Sequence, residues 1–201
     1  MEPRMSRRPD VVVLLSGGLD SIALAHHALA IGRLRAVAHY VYPHPAQSQE
    51  RRAVSEVCRQ WHQAGHYVER AEFPITLHAH GELGIGVGVE GPRVVPMRNL
   101  VFLSHAVNYA AGIGATEVWY GATAEDVASY PDCRPDFVAT VSGMAAAWGI
   151  AVRAPFIDMR RPQIRQLGED CGAPLALAWS CYQPTQTGRA CGTCDSCTQG
   201  A

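Results

Sequence analysis

Val11-Val12-Val13-Leu14-Leu15-Ser16-Gly17-Gly18-Leu19-Asp20-Ser21 runs from five apolar residues through a glycine pair into Ile22 to Ile31, an apolar stretch that reads as a helix. A β-branched and leucine run of this length predicts a buried parallel strand, and the glycines let the chain turn sharply into a helix N-terminus. Such a junction is an anion site. The first amides of a helix have no intrahelical partner and carry the positive end of its dipole, so phosphate oxygens bind there, with the hydroxyls of Ser16 and Ser21 in support. A carboxylate beside that cradle repels phosphate unless a cation lies between them, so Asp20 is expected to hold Mg²⁺ carried by a nucleotide. The alternative is a tight strand-to-helix turn without a ligand, although a turn alone does not need two glycines, two hydroxyls and a carboxylate within six residues.

The lysine-dependent P-loop is excluded, because all 17 basic residues are arginine. The string resembles instead the SGGxDS loop of pyrophosphatases that cleave ATP between its α and β phosphates. That resemblance names a superfamily and leaves the acceptor of AMP open.

With 201 residues, 48% of them hydrophobic, the chain suits one well-buried α/β domain spanning 1–201, with a core over about 10–175 and a cysteine-rich tail over about 178–201. A formal charge of −1 argues against a surface built to bind polyanions, so nucleic acid is not the expected partner. No apolar run is long enough to span a membrane, and the arginine-rich Met1 to Pro9 is not followed by a signal-peptide core. A cytoplasmic protein is expected, with a homodimer as its assembly. In that compartment seven cysteines point to metal or catalysis before disulfides.

Beyond the first helix, Arg35 to Tyr42 reads as a strand, Ser48 to Gly65 as a helix and Tyr67 to Phe73 as a third strand. Gly81 to Pro92, with five glycines and a proline, reads as a mobile flap before a helix from Leu100 to Gly112. Glu117 to Gly121 and Ala151 to Ile157 read as strands, separated by a polar loop, Ala124 to Arg134, and a helical stretch, Pro135 to Trp148. A further helix follows Arg160-Arg161-Pro162. Alternating strands and helices predict an α/β fold: a Rossmann-like parallel sheet with helices on both faces. Ligands of such sheets sit beyond the carboxyl ends of the strands, so the Ser16 loop and the Ala124 loop should face one crevice.

Cys181, Cys191, Cys194 and Cys197 form C-x9-C-x2-C-x2-C, a spacing that turns four thiolates toward one centre. Tetrahedral Zn²⁺ in a small C-terminal knuckle is the expected occupant, structural because four protein ligands leave no open position. An iron–sulfur cluster and a redox Cys-x-x-Cys pair are the alternatives. His78 and His80 read as loop or surface histidines before ligands. Cys133, beside Arg134, is either a packed small hydrophobe or a nucleophilic thiolate.

Four ordered strings, SGGLDS at Ser16, VPMRNLVFLS at Val95, YPDCRPDF at Tyr130 and SCY followed by CGTCDSC at Ser180, together resemble the 7-cyano-7-deazaguanine synthase family across residues 11 to 197. The resemblance implies an adenine nucleotide α-hydrolase-like fold and an ATP-dependent ligase. Its substrates would be 7-carboxy-7-deazaguanine and ammonia, and its product the 7-cyano compound, made through an acyl adenylate and an amide. It implies ATP on Leu15, Ser16, Gly17, Gly18, Leu19, Asp20 and Ser21, Mg²⁺ on Asp20, and a structural Zn²⁺ on the four cysteines. Ser16, Asp20, Arg98 and Asp126 would serve catalysis, Arg161 the nucleotide, and Tyr130, Asp132 and Arg134 the substrate. The chain departs from the family at Pro43-His44-Pro45-Ala46-Gln47-Ser48, where Gln-Arg-His-Ser is usual. Met97 stands where glycine is usual, and Arg161 where lysine is usual. These departures keep two alternatives open, an enzyme that stops at the amide and a nucleotide- and zinc-binding module that has lost catalysis; the superfamily adds a third, a sulfur-transfer enzyme acting on tRNA, with Cys133 or the tail cysteines carrying sulfur.

Overall fold

A computed structural model describes residues 10–77 and 95–198. His78, His80 and the Gly81 to Pro92 stretch lie outside the described residues. Strands β1 (Val11–Leu14), β2 (Leu34–Val41), β3 (Glu69–Pro74), β4 (Glu117–Trp119) and β5 (Ala151–Arg153) form one sheet in the order β3-β2-β1-β4-β5, with every pairing parallel. The helices are α1 (Leu19–Ala30), α2 (Gln47–Gln63), α3 (Arg98–Ile113), α4 (Ala124–Ser129), α5 (Pro135–Ala145), α6 (Arg161–Asp170) and α7 (Asp195–Thr198). The predicted parallel sheet with helices on both faces is what the chain adopts.

The alternation along β1 sorts the core into two layers. Val11 and Val13 join Ile22, Leu24, Val54, Val57, Trp61 and Ile164 of α1, α2 and α6 on one face. Val12 and Leu14 join Leu103, Ala106, Ala110 and Val141 of α3 and α5 on the other. Val11, Val12 and Val13 have no solvent exposure, which is why the strand reads as an unbroken apolar run rather than an alternating one. The small face of α1 lets α6 come close, and a Cβ on Gly168 would lie 3.1 Å from that of Ala23.

Chain order runs outward from β1 through β2 to β3, then restarts on the far side of β1 at β4. The reversal lies between β1 and β4, and beyond their carboxyl ends the two loops diverge and leave a crevice. Ala124 to Arg134 is not an irregular loop: Ala124–Ser129 is helical and Pro131–Cys133 forms a 3₁₀ turn. Its start is a Thr123/Asp126 capping box, with Thr123 N–H and Oγ1–H donating to Asp126 Oδ2 at 3.0 and 2.8 Å.

At the entrance to α3, Met97 has φ of 60° and is the one non-glycine residue with positive φ among the described residues. The left-handed region crowds a Cβ and suits glycine. Its side chain is more than half exposed and gains little from packing. Met97→Gly is therefore expected to raise the unfolding free energy in urea by about 1 kcal/mol, the order of a left-handed penalty, whereas Met97→Ala leaves it unchanged.

Candidate active site

A crevice of about 440 Å³ opens beyond the carboxyl ends of β1, β2 and β4. Of the residues singled out in sequence, Leu15, Ser16, Gly18, Leu19, Asp20 and Ser21 line it, as do Arg98, Asp126, Tyr130 and Arg161. Gly17 lies just behind the lining. Its φ of 95° is open to glycine, and a Cβ would come within 2.7 Å of the Glu50 carbonyl oxygen in the first turn of α2.

The two loop hydroxyls divide their work. Ser21 Oγ accepts from the amides of Ser16 and Gly17, both at 3.2 Å, and donates to the Gly18 carbonyl at 2.9 Å. It is a buried staple of the turn. Ser16 is exposed to the crevice, its Oγ 3.0 Å from that of Ser21. No side chain caps α1, and Gly121 of the facing loop has no side chain to lie across the Ser21 amide, where a Cβ would sit 3.5 Å away. The first-turn amides are therefore open to an anion, as expected of a phosphate cradle.

Asp20 supplies the opposite charge. Its Oδ1 is buried without a hydrogen-bond partner, and its Oδ2 is 3.9 Å from Arg161 Nε. Burial pushes its pKa up to about 6; Arg161 opposes that shift, while Asp126 and Glu125 reinforce it. An unpartnered carboxylate oxygen beside two further acids fits a hard divalent cation. Arg165, one helical turn after Arg161, also lines the crevice; its i,i+4 spacing from Arg161 on α6 is a signal readable in the sequence.

Arg98, the first residue of α3, is half-buried and hydrogen-bonded to the Tyr42 hydroxyl. Burial works against its charge, but Tyr42, Asp132 and Tyr182 outweigh it and hold the guanidinium above its ordinary pKa. Asp132 and Arg134 are not in the lining. The Asp132 carboxylate accepts from the Asn99 amide at 3.0 Å, capping α3 next to Arg98, and Arg134 is exposed at the start of α5. Cys133 is buried, with its thiol pushed up to about 12 first by burial and then by Asp126 and Asp132, so it is not a nucleophilic thiolate.

The cysteine knuckle closes one wall. The sulfurs of Cys181, Cys191, Cys194 and Cys197 lie within 4.8 Å of one another. Separations of 4.0 Å (Cys191 to Cys197), 4.0 Å (Cys181 to Cys194) and 3.5 Å (Cys194 to Cys197) compare with about 3.8 Å for a tetrahedron with metal–sulfur bonds of about 2.3 Å. The Cys191 amide donates to Cys181 Sγ at 3.2 Å and the Cys194 amide to Cys191 Sγ at 3.3 Å, bonds that favour thiolates. This centre could hold a metal ion such as zinc. Ser180, Tyr182 and Ser196 reach the crevice from the same segment, and Trp179 N–H donates to the Gly17 carbonyl at 2.9 Å, tying the tail to the phosphate loop. Four cysteines in sequence indicate a metal, but nothing in their spacing indicates a wall.

A pH-dependent cost follows from Asp20. Between 3.8 and about 6 the folded carboxyl keeps a proton that the unfolded chain has released, so stability falls as pH rises through that window. The cost, on the order of 2–3 kcal/mol, is complete above about pH 6 and absent below about pH 4. Without divalent cations, Asp20→Asn should melt above the wild type at neutral pH and converge with it near pH 4 in thermal scans. A variant that melts lower at neutral pH would contradict this account.

Compared with known proteins, residues 10–201 match the family model described as queuosine biosynthesis protein QueC. The 7-cyano-7-deazaguanine synthase of Ectopseudomonas mendocina is 37% identical over 204 residues, covering 92% of this chain and 89% of the relative. That of Legionella pneumophila strain Corby is 34% identical over 205 residues, covering 93% and 88%. Among solved structures, NMN synthetase from Francisella tularensis aligns over 97% of this chain and 74% of its own, at a TM-score of 0.52 and 13% identity, a likeness of fold alone. A family model that matches almost the whole chain, and relatives above 30% identity over nine-tenths of it, place this chain in the queuosine biosynthesis protein QueC family.

Proposed function

We propose that the protein is a 7-cyano-7-deazaguanine synthase, an ATP-dependent carbon–nitrogen ligase that joins 7-carboxy-7-deazaguanine and ammonia. The observation that carries the reading is the convergence in one crevice of an uncapped helix N-terminus, a carboxylate with an unpartnered oxygen, and Arg98, in a chain of this family. Members of the family named above carry that activity in their names.

A carboxylate resists attack by ammonia because its oxygen is a poor leaving group. In the proposed reaction the substrate carboxylate oxygen bonds to the α-phosphorus of ATP and pyrophosphate departs. Ammonia then adds to the acyl carbon and AMP leaves, giving the amide. A second ATP activates the amide oxygen in the same way, and loss of AMP with the remaining amide protons gives the nitrile. The open amides of α1 and Ser16 take the phosphates, while Asp20, with Asp126 beside it, holds the Mg²⁺ that ATP brings. Arg161 and Arg165 offset the charge of the departing pyrophosphate, and Arg98 presents a fixed, permanently charged fork to the reacting carboxylate. Tyr130 is assigned to the heterocycle and Asp132 to holding the α3 terminus from which Arg98 projects, with Arg134 a cation at the rim. The protonated thiol of Cys133 speaks against sulfur transfer.

Incubation with ATP, Mg²⁺, ammonium and 7-carboxy-7-deazaguanine should release AMP and pyrophosphate with a product of nitrile mass. Accumulation of a species one water heavier, not consumed on addition of fresh ATP, would show that the reaction stops at the amide. ATP turnover independent of the acid would refute the ligase. Arg98→Lys, which keeps the charge and loses the fork, should lower kcat at least tenfold.

The knuckle is assigned to structural Zn²⁺. Elemental analysis should find about one zinc per chain, and Cys194→Ser should lower the melting temperature and lose zinc. Visible absorption from a brown protein would assign an iron–sulfur cluster instead.

A further inference from the structure

The crevice holds two separate acidic poles. One is Asp20 with Glu125 and Asp126, among Arg161 and Arg165. The other is Glu50, in the first turn of α2, which lines the crevice next to Tyr42 and Arg98: both charges act on the Tyr42 hydroxyl. The backbone of Glu50 is pressed against Gly17, so its side chain starts at the phosphate loop. Among the described residues its one ion-pair contact is His44, whose Nε2 lies 3.3 Å from Glu50 Oε2.

His44 explains how Glu50 is held. Its side chain is 2% exposed, it lies against the Tyr42 ring at a centroid distance of 4.5 Å, and its Nδ1 is buried without a partner. The ring is thereby held between Tyr42 and the Glu50 carboxylate, with Nε2 facing Oε2. That contact places one oxygen of the carboxylate, and Oε1 remains for a ligand.

We propose that Glu50 is the binding site and proton acceptor for ammonium in the ligase reaction, with His44 as its positioning residue. The inference rests on the ligase reading. In water near neutrality the nitrogen donor is overwhelmingly ammonium, which cannot attack carbon while protonated; Arg98, Arg161 and Arg165 repel it from most of the crevice, and the other acidic pole, at Asp20, is assigned to the cation that ATP brings. At Glu50 the cation is attracted beside the phosphate loop and Arg98, where the activated carbonyl must lie. Glu50 Oε1 takes one proton from ammonium, which frees the lone pair that bonds to the acyl carbon; as AMP leaves, the nitrogen sheds its second proton to solvent, and Glu50 returns its own to solvent, so the base is regenerated.

Hydroxylamine, neutral at pH 7 and able to attack as it is, separates this role from a structural one. With the wild-type protein, ATP and 7-carboxy-7-deazaguanine, ammonium gives the amide or nitrile and hydroxylamine gives the hydroxamate. Glu50→Gln should raise the KM for ammonium at least tenfold, leave the KM for ATP within about twofold, and lose far less rate with hydroxylamine than with ammonium. Glu50→Asp should restore part of the ammonium reaction, and His44→Phe should show the same bias toward hydroxylamine in weaker form. Equal losses with both nucleophiles would overturn the ammonium site and leave the ligase standing. No hydroxamate or amide from the wild type would remove the ligase reading and this inference with it.

Discussion

Gly17 is the point at which three parts of the chain meet, and its missing side chain is what lets them. The phosphate loop turns there at positive φ, the carbonyl of Glu50 in the first turn of α2 packs where a Cβ would stand, and Trp179 of the tail donates its amide to the Gly17 carbonyl. Remove that close approach and α2 and the tail both lift from the loop. The anion cradle, the Glu50 pole and the wall carried by the cysteine knuckle are thus consequences of one backbone contact.

Around that contact the crevice is organised by charge that burial makes expensive. Asp20 bears a raised pKa because water is excluded and Arg161 compensates only in part. Arg98 keeps its charge because Tyr42, Asp132 and Tyr182 outweigh burial. Structures retain such costs where binding repays them, since the ligand that relieves the strain is held the more tightly for it. Elsewhere buried charge is simply paired: Glu117 meets Arg33 and Arg153, each at 3.1 Å, and accepts from Trp119 Nε1 at 2.6 Å.

The fold was legible because β1 and its glycine turn carry a strong local signal: an apolar run buried on both faces has no polar alternation to confuse with a surface strand. The phosphate loop, Asp20 and the four cysteines were legible for the same reason, each residue type being chosen by chemistry, whereas Arg98 and Arg161 entered through the family resemblance. Asp132 was harder to place, since its carboxylate serves the terminus of a helix 33 residues away in sequence, and no local pattern reports such a contact. Helix α4 was hidden by a polar sequence whose start depends on the Thr123 and Asp126 capping box. Glu50 and His44 were invisible as a pair, because a surface helix normally carries an acid in its first turn and only the packing against Gly17 and Tyr42 makes this one face the site.

The cations that line the crevice, Arg98, Arg161 and Arg165, are all guanidinium groups, and the sequence contains no lysine. Guanidinium stays protonated and is a poor nucleophile, whereas a desolvated lysine amine readily attacks an activated acyl group. A pocket built this way can stabilise phosphate and carboxylate charge without placing a competing amine beside the electrophile. Under the proposed chemistry small dissolved amines thereby face no rival amine among the side chains that line the crevice.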